Sequence, residues 1–180
     1  METQRTILVE KAAGIIMSSG IHALKIEDLT NDPQLKDSDL FTRIENLNDI
    51  LLILLAEFEF ELKTFLEGMK SLREDPGSEL RIMFKRLYFL FLQKPYYLEL
   101  IFDMEKISKD ESTKNAYTRI RNLAEDYLSS VVNRGKSEKM FDTNIKTKVI
   151  VDRMLMGFRL LMKDEERLLQ LLHQMKSLKD

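Results

Sequence analysis

Two histidines, no cysteine and no grouped nucleophile, base and acid limit the chemistry open to this 180-residue chain. Neither His22 nor His173 has a glutamate three residues before it, so the Glu-x-x-His pairs that hold two irons in a helical bundle are missing. Glycine-rich phosphate loops, Gly-x-Ser-x-Gly turns and His-Glu-x-x-His are absent as well. The pairs Glu57/Glu61 and Glu165/Glu166 read as solvated helix faces, and Arg119 and Arg121 as exposed helix positions able to meet an anion. No enzyme, cofactor or metal is expected. A pocket is more plausible than a catalytic site. Phe84, Tyr88, Phe91, Tyr97, Phe102, Tyr117, Met154 and Phe158 fall at helical spacings, and ten methionines offer side chains that fit irregular shapes. Taken singly, each of these is ordinary core.

These residues require long helices to carry them. Hydrophobic residues make up 44% and charged residues 32%, while only three prolines and six glycines interrupt the chain, which argues against a sandwich or barrel. Helical periodicity predicts a first helix over residues 3–19, with Leu8, Ala12, Ile15 and Ile16 inward and Gly20 closing it. A long helix is predicted from Asn46 or Asn48 to about residue 72. The break at 73–78 contains Pro76-Gly77, with Ser78 as a candidate cap, and helices follow over 79–94 and 95–108. Another, capped by Asp110 or Ser112, runs to 133 with Gly135 closing it. A further helix starts at Thr143 or Asn144, carrying Val149, Ile150, Met154, Gly157 and Phe158 on one face, and a leucine-rich one ends the chain. The longest apolar run, residues 50–56, falls far short of the ~20 residues of a membrane span. A soluble, cytoplasmic, all-α protein of about nine helices is the expectation.

Residues 24–51 differ from this pattern. Ile26 and Leu29 share a face of a short helix that Pro33 ends, Leu35 bridges, and Asp37 or Ser38 can cap a second short helix carrying Leu40, Phe41 and Ile44. Two short helices joined by a tight turn form a helix-turn-helix outline. Together with Ala12, Ala13, Gly20 and Ile50-Leu51, this apolar skeleton resembles the TetR family of bacterial transcriptional regulators over about fifty residues. The resemblance implies a helix-turn-helix domain at 1–46 and a helical ligand-binding and dimerisation domain at 47–180, joined by the long helix. It implies DNA contacts from Lys25, Lys36, Ser38, Thr42 and Arg43, and a homodimer through residues 143–178. It also implies that the eight aromatic and methionine side chains above line a cavity for a small apolar or amphipathic ligand that modulates DNA binding.

Charge supports a second reading. Residues 1–50 carry five basic and nine acidic side chains, a net charge of −4, and Leu47 stands where the family pattern has a phosphate-binding lysine. Phosphate affinity rests on Lys and Arg. Asp37 and Asp39 complement a helix N-terminus but repel phosphate. On this reading the chain is a TetR-like dimer whose head has lost DNA binding and which serves as a ligand-binding or protein-interaction module.

Overall fold

A computed structural model of the chain describes residues 2–35, 39, 41, 44–72, 74–107 and 109–163. Among these residues seven α-helices and no strands occur: α1 (Glu2–Ser19), α2 (Ile26–Thr30), α3 (Leu47–Lys70), α4 (Pro76–Gln93), α5 (Tyr96–Ile107), α6 (Glu111–Ser137) and α7 (Thr147–Lys163). A 3₁₀ turn, Ile21–Ala23, follows α1. The all-α architecture matches expectation. The short helix expected around 38–44 falls mostly, and the leucine-rich last helix entirely, outside the described residues.

The chain forms two compact units, residues 1–71 with 89–124, and residues 72–88 with 125–180. In the first, α3 supplies the longest apolar face: Ile50, Leu51, Leu54, Leu55, Phe58, Leu62, Leu66 and Met69 are all buried. Its start is fixed by a capping box. Asn46 Oδ1 accepts from the Asn48 N–H at 2.8 Å, while Asp49 Oδ2 accepts from the backbone N–H groups of Asn46 and Glu45. Around Phe58, three glutamates reach three other parts of the unit: Glu57 to Arg5 of α1 (4.0 Å), Glu59 to Arg119 of α6 (2.9 Å), and Glu61 to Lys94 after α4. Glu57 and Glu61 are thus half-buried ion-pair partners rather than a solvated face.

Two helix ends, the start of α4 and the end of α6, differ from the sequence reading in the same way: a residue one turn earlier or later does the capping. Asp75, not Ser78, opens α4; its Oδ1 accepts from the N–H groups of Gly77 and Ser78 at 3.0 Å, with Pro76 at the first helical position. Asp110 opens α6 by accepting from Ser112 and Thr113. The helix α6 does not stop before Gly135 but runs through it to Ser137. Lys139 takes the left-handed position (φ 59°), Met140 N–H donates to the Gly135 carbonyl at 2.8 Å and Lys139 N–H to that of Lys136 at 3.0 Å. Gly135 is required for a different reason: a Cβ there would lie 2.2 Å from Phe141 Cδ2.

In the second unit, Phe84 and Phe158 pack at 5.5 Å between ring centres, and Glu79 of α4, only 3% exposed, accepts from Tyr127 and Arg134 of α6. Both carboxylate oxygens are therefore satisfied, as a buried charge requires. Along α7 the inward residue is Val151. Val149, Met156 and Leu160 form an outward apolar stripe, so Val149 does not share the inward face assigned to it from sequence.

Gly135→Ala gains up to about 1 kcal/mol of helix propensity but must displace the Phe141 ring, and overpacking typically costs about 1–3 kcal/mol. Net destabilisation of roughly 1–2 kcal/mol is expected in denaturant unfolding, turning to slight stabilisation in a Phe141→Ala background. Acid melting checks a second bond. The Lys11 ammonium, 2.9 Å from Asp32, together with the Gln34 N–H, holds the Asp32 carboxyl below its ordinary 3.8. Its stabilising effect is complete above pH 3.8 and is lost as pH falls through the lower folded-state value. Asp32→Asn should abolish that part of the acid dependence.

Candidate nucleic-acid interface and aromatic cluster

Within the first unit, residues 1–46, the segment expected to be the head, bury Leu8, Ala12, Ile16, Ile21, Leu24, Leu29, Leu35 and Ile44. The helix α1 packs on α2, on the 3₁₀ turn and on α5. Of the residues predicted to contact DNA, Lys25 is exposed at the start of α2; Lys36, Ser38, Thr42 and Arg43 lie outside the described residues. Folding commits two other cations of the head elsewhere. Lys11 pairs with Asp32 of the turn after α2, and Arg5 reaches back to Glu57. No sequence signal marks pairs separated by 21 and 52 positions. Asp49, counted among the acids of the head, has its carboxylate turned to the backbone at the start of α3.

Behind the head lies α5. At the end of α1, Gly20 takes φ 80° and ψ 159°, a backbone region open essentially to glycine, and its N–H bonds the Ile16 carbonyl at 2.8 Å. This turn points the Ile21 N–H outward from the helix end, where Glu99 of α5 accepts it at 3.1 Å. Glu99 was not a sequence candidate; an acid near a helix start gives no hint of a partner 78 positions away.

Two residues before Glu99 stands Tyr97, the centre of an aromatic cluster. Its ring lies 4.5 Å from Phe58 and 4.5 Å from Tyr96, and Phe58 meets Phe91 at 6.1 Å. The Lys94 ammonium sits 5.5 Å from the Tyr97 ring centre and bonds Glu61. Burial, the largest single influence, would lower the Lys94 pKa, but the Glu61 bond together with the charges of Glu61, Tyr96 and Glu57 outweighs it and the net shift is upward. Tyr97 has no exposed surface, and its hydroxyl makes no hydrogen bond among the described residues. An unpaired buried hydroxyl costs roughly 1–3 kcal/mol. Burial first, with Tyr96 and Glu61 acting in the same direction, raises the Tyr97 pKa far above the phenol range, although neither neighbour closes a bond of acceptable geometry.

The eight residues expected to line one cavity divide between the units. Phe91 and Tyr97 are buried in the first, where Phe102 and Tyr117 are half-buried; Tyr88 is buried in the second, with Phe84, Met154 and Phe158 half-buried. Sequence reasoning missed Phe58, Tyr96, Glu61 and Lys94, which complete the cluster around Tyr97. Spacing alone cannot show that α3 and the α4–α5 junction meet there. Of the arginines considered for an anion, Arg119 is occupied by Glu59, with Nε and Nη2 both bonded to the carboxylate. Among the described residues no group of His, Asp and Glu side chains is arranged to hold a metal, and no helix is long and apolar enough to cross a membrane.

No family model and no curated protein matches the sequence. Solved structures do match. A protein from Syntrophomonas wolfei assigned to the TetR family of transcriptional regulators superposes with a TM-score of 0.73 at 14% identity, over 98% of this chain and 95% of that one. The ketosteroid transcriptional regulator KstR2 of Mycobacterium tuberculosis gives 0.71 at 14% identity, covering 88% and 81%. A Clostridium perfringens protein assigned as a fatty acid metabolism regulator gives 0.64 at 13%, covering 93% and 86%. The all-α order of elements and these superpositions agree: the chain has the fold of the TetR-family transcriptional regulators.

Proposed function

We propose that the chain is a TetR-like transcriptional regulator in which residues 1–46 bind DNA and residues 47–180 bind a small apolar or amphipathic ligand and dimerise through 143–178. The observation that carries this reading is the bond from the Ile21 N–H to Glu99. It ties the head to the same helix that presents Tyr96 and Tyr97 to the aromatic cluster, so an event in the cluster reaches the head through one rigid element. A ligand that prefers one position of α5 then shifts the population of head positions, and DNA affinity follows. Two of the structural neighbours are regulators named for ketosteroid and for fatty acid metabolism, which supports an apolar effector here. The outward stripe of Val149, Met156 and Leu160 on α7 supports a two-fold partner, as does Gly157, where a Cβ would meet nothing within 4 Å of this chain. No catalytic role is assigned.

The competing reading, a TetR-fold dimer whose head no longer binds DNA, draws on the same head. With Arg5 and Lys11 committed to carboxylates, at most three side-chain cations of the first 50 residues, Lys25, Lys36 and Arg43, remain for phosphate. Titration of the protein with a fluorescent duplex from upstream of its own gene, beside a scrambled duplex, separates the two. A dimer using all three per head should show a slope of log affinity against log salt no steeper than about −5.4, since each neutralised phosphate contributes about −0.9. Charge reversal at Lys36 should weaken binding. Absence of preference at low salt sinks the regulator reading in favour of the second.

Glu99→Ala leaves the Ile21 N–H without its acceptor and should cost about 1–2 kcal/mol in unfolding. Glu99→Gln, which retains an acceptor oxygen, should cost less. Equal stability of the two variants and unchanged duplex affinity in both would remove Glu99 from the coupling.

A further inference from the structure

The Tyr97 hydroxyl is a buried polar group with no hydrogen-bond partner among the described residues, its ring packed on Phe58 and Tyr96 and close to the Glu61–Lys94 pair; a phenylalanine would fill the same space without leaving a donor unsatisfied. Two walls, Phe58 and Tyr96, touch its ring at 4.5 Å, and Phe91 lies beyond Phe58. The part of the cluster open to solvent is the ion pair: the Lys94 side chain is 37% exposed and that of Glu61 24%. Lys94 ends on a flexible four-carbon stem, so it can swing aside without moving a helix.

We infer that Tyr97 is the polar anchor of the effector site, donating its hydroxyl hydrogen to a neutral carbonyl oxygen of a molecule whose apolar remainder lies against Phe58, Phe91 and Tyr96. This rests on the regulator reading above. A donor role follows from the neutral state of the phenol, which burial and the neighbouring Tyr96 and Glu61 enforce. A neutral rather than anionic acceptor follows from the local charge. Lys94 and Arg5 already face Glu61 and Glu57, one carboxylate for each cation, so an added carboxylate would be desolvated without a cation left over to match it. The new bond would form on α5 two residues before Glu99, on the helix that holds the turn after α1.

The test uses the full chain and Tyr97→Phe, each titrated calorimetrically with methyl nonyl ketone and with undecanoate, and each melted without ligand. The ketone should bind the unaltered protein more tightly than the carboxylate does, and Tyr97→Phe should weaken the ketone about tenfold, the effect of one hydrogen bond. The unliganded variant should melt at or above the temperature of the unaltered chain, because it sheds an unsatisfied group. Four results overturn the anchor: equal ketone affinity in both proteins, tighter binding of undecanoate, no ketone binding to the unaltered chain, or a lower melting temperature for the unliganded variant, which would mean that water already pairs the hydroxyl. The duplex titration on the same preparation keeps the two ideas apart. Retained operator preference with a failed ketone arm removes the anchor and leaves the regulator; lost preference removes the regulator whatever the ketone does.

Discussion

The first unit depends on one side of α3. Eight buried side chains on that face, each contributing on the order of 1.5–3 kcal/mol by leaving water, supply far more than the ion pairs that flank them. Exposed pairs contribute about 0–1 kcal/mol each. The glutamates at 57, 59 and 61 therefore do not hold the unit together so much as set the direction in which its neighbours lie. Phe58 fixes the depth of the packing, and the three carboxylates fix where α1, α6 and the α4–α5 junction stand around it. The second unit has a similar arrangement on a smaller scale, with Glu79 buried at its centre and Tyr127 and Arg134 closing on it.

Much of this was legible from periodicity. The buried residues of α3, from Ile50 to Met69, recur at helical spacing along the long helix predicted from sequence, and Phe65 beside them is half-buried. The positive φ of Gly20 and the cap at Asp110 were also readable, because each depends on local chemistry within a few residues. Distant pairings were not. Lys11 with Asp32, Glu99 with Ile21 and Arg119 with Glu59 are set by how helices pack, and no spacing encodes them. The Gly135 turn failed differently: glycine was read as a helix stop, whereas steric room for Phe141 is what it provides and Lys139 supplies the stop. For the candidate ligand residues, composition identified the aromatic side chains but could not assign them to units, and so merged two sets into one.

The electrostatics of the head follow from the same packing. Acids counted as repelling phosphate include Asp32, neutralised by Lys11, and Asp49, turned toward backbone donors. Cations counted as attracting it include Lys11 and Arg5, which are spent on those or neighbouring acids. Formal charge therefore overstates the number of free groups on each side by two and leaves the balance between them unchanged. With those groups set aside, three cations and seven acids of the first 50 residues remain, so the net charge is still −4 and the placement of a few cations matters more than the total.

The partner of Glu99 is a main-chain N–H, and that has a consequence for how the sequence can drift. Every amino acid except proline presents the same donor at position 21, so the side chain there can change for packing reasons without touching the link to α5. The constraint falls instead on an acceptor at 99 and on a residue at 20 able to hold φ near 80°. A descendant lineage could exchange most of its head surface and still inherit the connection intact, while a single proline at 21 would sever it without altering any surface side chain.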